Sequence, residues 1–395
     1  MATDSAELDE PPEVEPPEPV PGAQGLFTLD PTVAHLNHGS YGAPPVPVQR
    51  VQARLRDEQE RDPDGFFADL PGRIAAARTR ISAALGAHPK RLALLTNVTE
   101  GIAVALASIP LGRGERILVT DHGYGVVTEA ARRHAAEQGA ELTVARLPLH
   151  APDEAAVRDA VLAAVDDRTR VAVLDLVSSP TARRIAAPEL LTELNARGVV
   201  TVVDAAHAPG MVAADVGGAD FWLGNLHKWA FAPRAAAVLA VGQEWLSRVR
   251  PLTVSWEHKR GFPASVEWRG TCDYTPWLAA PTGFELLERL GAQRVREHND
   301  RLAAYGQRVV DEHTGLHPLP ATRGVAMRAL RLPPGWAENQ QTAQGARVAI
   351  RRQLGANVAV SPWPGGGVLR ISAQLYNRPE EYRALATGLA QFLAD

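Results

Sequence analysis

A lysine, Lys228, stands among Trp222, Trp229 and Phe231 in the stretch FWLGNLHKWAFAPRAAAVLAV (221–241), in a chain whose only other lysines are Lys90 and Lys259, against 38 arginines. Arginine keeps its charge under almost any burial, whereas a lysine amine can be desolvated until it gives up its proton and becomes a nucleophile. The window also fits a lysine at a strand end whose stem lies on the aromatics and whose head reaches water. The rest of the chain has to separate the two readings.

Four more clusters carry chemistry. Thr96-Asn97-Val98-Thr99-Glu100-Gly101 follows an apolar run and opens GIAVALASI, where free N–H groups and a Thr hydroxyl suit a phosphate or an ordinary helix cap. Asp204-Ala205-Ala206-His207 ends VVTVVDA, so the Asp204 carboxylate needs a cationic partner, either Lys228 or a protonated heteroaromatic nitrogen. Asp121-His122-Gly123-Tyr124-Gly125 offers Tyr124 or His122 to stack on a flat ring, and Ser178-Ser179-Pro180-Thr181 is a polar loop. Arg370, inside VLRISAQLYN, is either a structural partner of a buried oxygen or a bidentate clamp for a substrate carboxylate. Together these parts match what pyridoxal 5′-phosphate (PLP) requires: a lysine for its aldehyde, an acid for its pyridine nitrogen, and a cradle for its phosphate.

Such groups converge only if a fold brings them to one edge. Short apolar runs alternate with helical stretches, the pattern of an α/β domain with a largely parallel sheet, whose ligands bind beyond the carboxyl ends of the strands. The strand candidates are RLALLT (91–96), ERILVT (115–120), RVAVLDL (170–176), VVTVVDA (199–205) and AAAVLAV (235–241). Val157, Val161, Leu162 and Val165 keep helical spacing, and Gly139 and Gly198 close two helices. The spacing thus predicts a large domain over 26–281, with residues 26–46 near the active site or the second domain, and a smaller α/β domain over 282–395. A last helix there is capped by Asn377 and Glu380, with Leu385, Leu389 and Phe392 facing the core.

The first 22 residues hold seven acids and no base and are rich in Pro, so a disordered tail over 1–25 is expected. The net charge of −4 offers no nucleic-acid surface, and no secretory signal or long apolar run points to a membrane, so a cytoplasmic protein is expected. The lone Cys272 excludes an internal disulfide. His35-Leu-Asn-His38 has a two-ligand metal spacing without a third ligand and reads as structural, so no metal is expected. No G-x-G-x-x-G follows a strand, which argues against a nicotinamide dehydrogenase.

From about residue 27 to the end, the motifs LNHGSYGAPP, TNVTEGIAVA, DHGYG, SSPTA, DAAHAPG, GNLHKW, WRGTCDYTPWLA and LRISAQLYN resemble, as an ordered set, the class V aminotransferase superfamily of fold type I PLP enzymes, and within it the isopenicillin N epimerase group. The resemblance implies a mostly parallel, seven-stranded sheet flanked by helices with a smaller α/β domain. It makes Lys228 the Schiff-base lysine and Asp204 the partner of the pyridine nitrogen. His207 and Ser179 fall near the ring's phenolic oxygen, Val98, Thr99 and His227 at the phosphate, and Tyr124, or His122, on the ring. Thr271 would reach the phosphate of the neighbouring subunit of a homodimer. Arg370 would clamp the substrate's α-carboxylate, with His38, Gly39 and Ser40 beside the substrate.

The superfamily's cysteine desulfurases need a cysteine shortly before that arginine. AVSPWPGGGV has none, so a persulfide route is not expected. Arg269 and the glycines of residues 365–367 offer room for a second anionic group or a bulky side chain. The reading favours an epimerase or racemase acting at Cα of an amino-acid or peptide-like substrate. A C–S lyase resembling hercynylcysteine sulfoxide lyase comes next, then a transaminase. A PLP-sensing regulator without turnover lacks the DNA-binding module it needs.

Overall fold

The computed structural model describes residues 15–151, 153–213 and 216–394. A seven-stranded sheet runs, edge to edge, Leu92–Leu95, Ala237–Val241, Phe221–Asn225, Val200–Asp204, Thr169–Asp175, Arg116–Thr120, Glu141–Ala145. Only Ala237–Val241 is antiparallel to its neighbours; the other strands share one direction, so their carboxyl ends form one rim.

The central strands are apolar throughout because helices cover both faces. Alternate residues fill two cores: Ala172, Leu174 and Val203 pack with helix Pro63–Ala84, while Val171, Val173 and Val202 pack with helices Val98–Ser108 and Gly125–Gln138. All five expected strands are present. Two more, Glu141–Ala145 and Phe221–Asn225, were not read from the sequence. The first is a half-exposed edge strand of mixed polarity, and the second is five residues long with a glycine inside, so neither carries a strong strand signal.

Past residue 320 a three-stranded antiparallel sheet, in the order Ala359–Ser361, Val368–Ser372, Met327–Arg331, packs on helices Ala292–Thr314, Gln340–Leu354 and Pro379–Ala394. Helix Thr275–Leu290 runs unbroken through residues 281 and 282, where the composition changes. Near the start of the chain, Ala34–His35 pairs with Ala356–Asn357, and Ser372 N–H donates to the Leu36 carbonyl. Residues 36–41 are therefore tied to the small sheet while reaching the rim of the large one.

Two sequence expectations need amendment. Residues 1–14 of the expected disordered tail lie outside the described residues, but Val20 and Ala23 are buried in the main core, so order begins upstream of residue 26. In the last helix Leu385 and Leu389 are buried and Phe392 packs beside them, yet the cap differs. Asn377 Oδ1 accepts from Gln374 N–H, and Glu381, not Glu380, accepts from Arg378 N–H and Asn377 Nδ2. Glu380 pairs with Arg383 instead.

Two close approaches seat the short helix Leu226–Trp229 that carries Lys228. Gly42, at φ 64°, abuts the His227 carbonyl, and Gly283 of helix Thr275–Leu290 abuts the Ala230 carbonyl; neither leaves room for a Cβ. Gly283→Ala must push helix and backbone apart, at a cost of about 1–3 kcal/mol by overpacking. Urea unfolding should show that loss, with weakened cofactor binding alongside it.

Candidate active site

Beyond the rim lies a cavity of about 940 Å³, walled by Gly39, Ser40, Thr99, Tyr124, Lys228 and Arg370 among others. Lys228 follows strand Phe221–Asn225 directly, with its stem facing the cavity. Burial drives its amine down to about 8, with Arg370 adding to the fall and Asp204 and Asp175 opposing it. The Nζ lies 3.4 Å from His207 Nε2. Trp229 Nε1, which can only donate, points at His207 Nδ1 at 3.4 Å. That leaves the ring proton on Nε2, facing Lys228, and burial keeps the imidazole neutral, its pKa well below the usual value.

Asp204 ends its strand 4 % exposed, and among the described residues it has no ion pair; its Oδ1 accepts from Ala206 N–H at 2.9 Å. Burial raises its carboxyl, against the Ala206 hydrogen bond and Lys228. Beside it, at the same register of the neighbouring strand, Asp175 is 5 % exposed and also lines the cavity. The sequence reading passed over Asp175 as part of an apolar strand. The signal that would have found it is the parity that puts it on one face with Val171 and Val173.

The helix start expected to cradle a phosphate is partly committed to internal bonds. Asn97 caps helix Val98–Ser108, its Oδ1 accepting from Glu100 N–H at 2.9 Å. Val98 N–H is already bonded to Asn225 Oδ1 at 3.1 Å, so Thr99, exposed on the cavity wall, is the donor left in the first turn. His227 also lines the cavity; burial lowers it to about 4 and its Nδ1 meets the Ala236 carbonyl. Tyr124 projects into the cavity, whereas His122 is buried away from it, with Nδ1 on Thr181 Oγ1 at 2.9 Å and its ring edge-on to Trp363. Of the two stacking candidates, only Tyr124 is placed to act.

Arg370 is the strongest feature of the opposite wall. It is 2 % exposed, and among the described residues no carboxylate pairs with it. Its Nη1 donates to the Ser179 carbonyl at 2.6 Å and Ser179 Oγ at 3.1 Å, and its Nη2 to Asn37 Oδ1 at 2.9 Å and Ser40 Oγ at 3.4 Å. Burial lowers it to about 10. Small residues flank it across the sheet, Ala359 on one side and Ala329 on the other, leaving the guanidinium open to the cavity.

Several expected substrate contacts lie elsewhere. His38 does not line the cavity: Nε2 meets the Lys228 carbonyl at 2.7 Å, Nδ1 meets Tyr376 Oη at 3.0 Å, and burial drives it to about 4. It holds the lysine's backbone. Its Nε2 is the hydrogen-bond partner of a carbonyl, while His35 Nε2 faces the Asp30 carbonyl. Arg269 is ion-paired with Glu100 at 2.7 Å, lies over Trp277 and is not part of the cavity lining. Gly366 and Gly367 press against the backbone near Leu332, Pro333 and Ala337 and serve the turn before Arg370 instead of widening the cavity. Thr271 is exposed outside the cavity of its own chain.

A sheet of this order, with a desolvated lysine after one strand, a buried acid at the end of the next, and a helix N-terminus across the rim, fits PLP, and the class is that of fold type I PLP-dependent enzymes. The chain belongs to the aminotransferase class-V family, whose model matches residues 66–385. It is 36% identical to the isopenicillin N epimerase of Amycolatopsis lactamdurans, over 93% of this chain and 97% of that protein. It is 30% identical to putative L-cysteine desulfhydrase 2 of Oryza sativa subsp. japonica, over 93% of this chain and 86% of that one. The solved complex of the cystine C-S lyase C-DES with cysteine persulfide superposes with a TM-score of 0.79 at 17% identity, covering 91% of this chain and 97% of that one.

Because His38 is bonded to the Lys228 carbonyl and lies off the cavity wall, His38→Ala should destabilise the fold by about 2 kcal/mol through the orphaned Lys228 carbonyl and Tyr376 hydroxyl. Thermal melting should register the loss, while KM for an amino-acid substrate stays within about threefold, since a change below 1 kcal/mol in binding is all an indirect contact supplies.

Proposed function

We propose that the protein is an epimerase acting at Cα of an amino-acid or peptide-like substrate. The observation that carries an amino-acid substrate is Arg370, a buried guanidinium without a carboxylate partner among the described residues, which faces the same cavity as the Lys228 amine. Its present partners are neutral oxygens, and a substrate α-carboxylate offers the bidentate anion they lack. The likeness to isopenicillin N epimerase over nearly its full length supports the isomerase reading.

PLP, when bound, draws off the electrons left at Cα once its proton is removed. Lys228 would hold the cofactor through its amine and, once released by substrate, take the Cα proton; an amine at about 8 is part neutral near neutral pH and can do both. Asp204 would keep the pyridine nitrogen protonated. His207, with its proton on Nε2, would donate toward the phenolic oxygen, with Ser179 close by. Thr99 and His227 would face the phosphate, and Tyr124 would cover the ring.

A homodimer completes the site in this reading. Trp256 is 93 % exposed, with Val254 and Leu252 also uncovered, on the segment leading to Arg269 and Thr271; a second copy would cover this patch and receive Thr271 at its phosphate.

The desulfhydrase likeness favours a second reading, β-elimination at a cysteine-type substrate, which needs the same lysine and arginine and no active-site thiol.

The purified protein with PLP should show a visible band near roughly 420 nm, lost in Lys228→Ala, as expected for a lysine-held cofactor. A colourless wild type would sink the assignment. Incubation in deuterium oxide with candidate amino acids then separates the branches. Deuterium at Cα without net consumption supports epimerisation, and pyruvate release supports elimination. Arg370→Ala should raise KM by at least about tenfold in either case, matching the loss of a charge-assisted hydrogen bond.

A further inference from the structure

Asp175 and Asp204 end adjacent parallel strands in direct register, so their side chains leave the same face of the sheet side by side. Both are buried, both line the cavity, and neither has an ion pair among the described residues. The charged and titratable groups around them do not supply two counter-charges. Lys228 is the near cation. Asp121, on the flanking turn, is turned toward Leu147 N–H and Arg146; His122 is bonded to Thr181; and Arg370 is held by Ser179 and Asn37. The Tyr124 phenol and the neutral His207 complete the surroundings. Two carboxylates this close, with one lysine, do not both ionise.

Asp175 has a second contact. A Cβ on Gly123 would sit 3.4 Å from Asp175 Oδ2, so the carboxylate lies against the backbone of the turn that leads to Tyr124.

We infer that Asp175 is a positioning residue that shares one proton with Asp204 and fixes the Gly123–Tyr124 turn, so that the floor of the site presents one negative charge, not two, to the cofactor's ring nitrogen. The inference rests on the proposed role of Asp204. Burial and the Asp204 charge both push Asp175 well above the usual carboxylate range, which agrees with Asp175 as the member that keeps the proton. The sign of its pH linkage follows. A carboxyl raised on folding contributes stability below its ordinary range and loses it as pH rises through its folded value.

The test uses the full chain freed of cofactor. Infrared spectra at neutral pH should show the C=O stretch of a protonated carboxyl that disappears in Asp175→Asn; Glu267, another buried acid, stays in both proteins, paired with Arg78. The urea midpoint of the wild type should fall with rising pH more steeply than that of D175N. The asparagine keeps a polar group of the same shape against the Gly123 backbone, so PLP affinity in D175N should stay within about threefold, whereas Asp175→Ala should lose about tenfold with the freed turn. An unchanged infrared difference, or equal pH slopes, overturns the shared proton. Equal affinities in D175N and D175A overturn the hold on the turn. Asp175→Ser serves the infrared comparison where D175N does not fold. Failure of the wild type to take PLP would sink the cofactor assignment by itself, while the infrared and unfolding arms still decide the shared proton.

Discussion

Everything at the rim of the large sheet follows from one constraint: an ionisable group withdrawn from water must find a counter-charge or change its protonation. Lys228 and Arg370 are both lowered by burial, with Arg370 lowering Lys228 further, while Asp204 and Asp175 are both raised. Left alone, the cluster is under-compensated at each member. A molecule with a cationic ring nitrogen, an aldehyde and an anionic handle, followed by a substrate with a carboxylate, would relieve these in turn, and its binding would stabilise the fold.

The surrounding architecture fixes where these groups sit. Strands buried on both faces set the separation of Asp175 and Asp204 to one inter-strand spacing, roughly 4.8 Å. Strand Ala237–Val241, the one that reverses direction, sits between the edge strand Leu92–Leu95 and Phe221–Asn225. It brings Ala235 and Ala236 to the rim, where the Ala236 carbonyl meets the His227 ring and accepts from Leu226 N–H. His38, from a segment nearly two hundred residues earlier, closes the other side by its bond to the Lys228 carbonyl. The lysine helix is only Leu226–Trp229, too short to hold itself, and its position comes from these contacts.

Much of this was legible in the sequence, for identifiable reasons. A scarce lysine among aromatics, an aspartate closing an apolar run and an arginine inside another are local anomalies, and Lys228, Asp204 and Arg370 do meet in one cavity. What escaped depends on partners far along the chain. Nothing near Arg269 announces Glu100 as its partner, so it read as a substrate contact. His38 read the same way because its partners, Lys228, Ser372 and Tyr376, are all distant in sequence. Asn225 claims the Val98 N–H across two elements. Asp175 was hidden by its own surroundings, a polar end on a run that announces only a strand.

The same distinction explains why the motifs resolve the cofactor more sharply than the reaction. The roles proposed for Lys228, Asp204, His207 and Arg370, namely holding the cofactor, binding a carboxylate and moving the first proton, would serve epimerisation and elimination alike. Relatives described as an epimerase and as a desulfhydrase can therefore share the set. The branch that follows depends on which group meets the far face of the substrate. In this chain Tyr41, Gln340, Arg347 and Trp363 also line the cavity, drawn from a short helix, a longer one and a loop. Those positions sit outside the strand-end clusters where chemistry is readable from residue type, so motifs that point to the cofactor say little about the reaction.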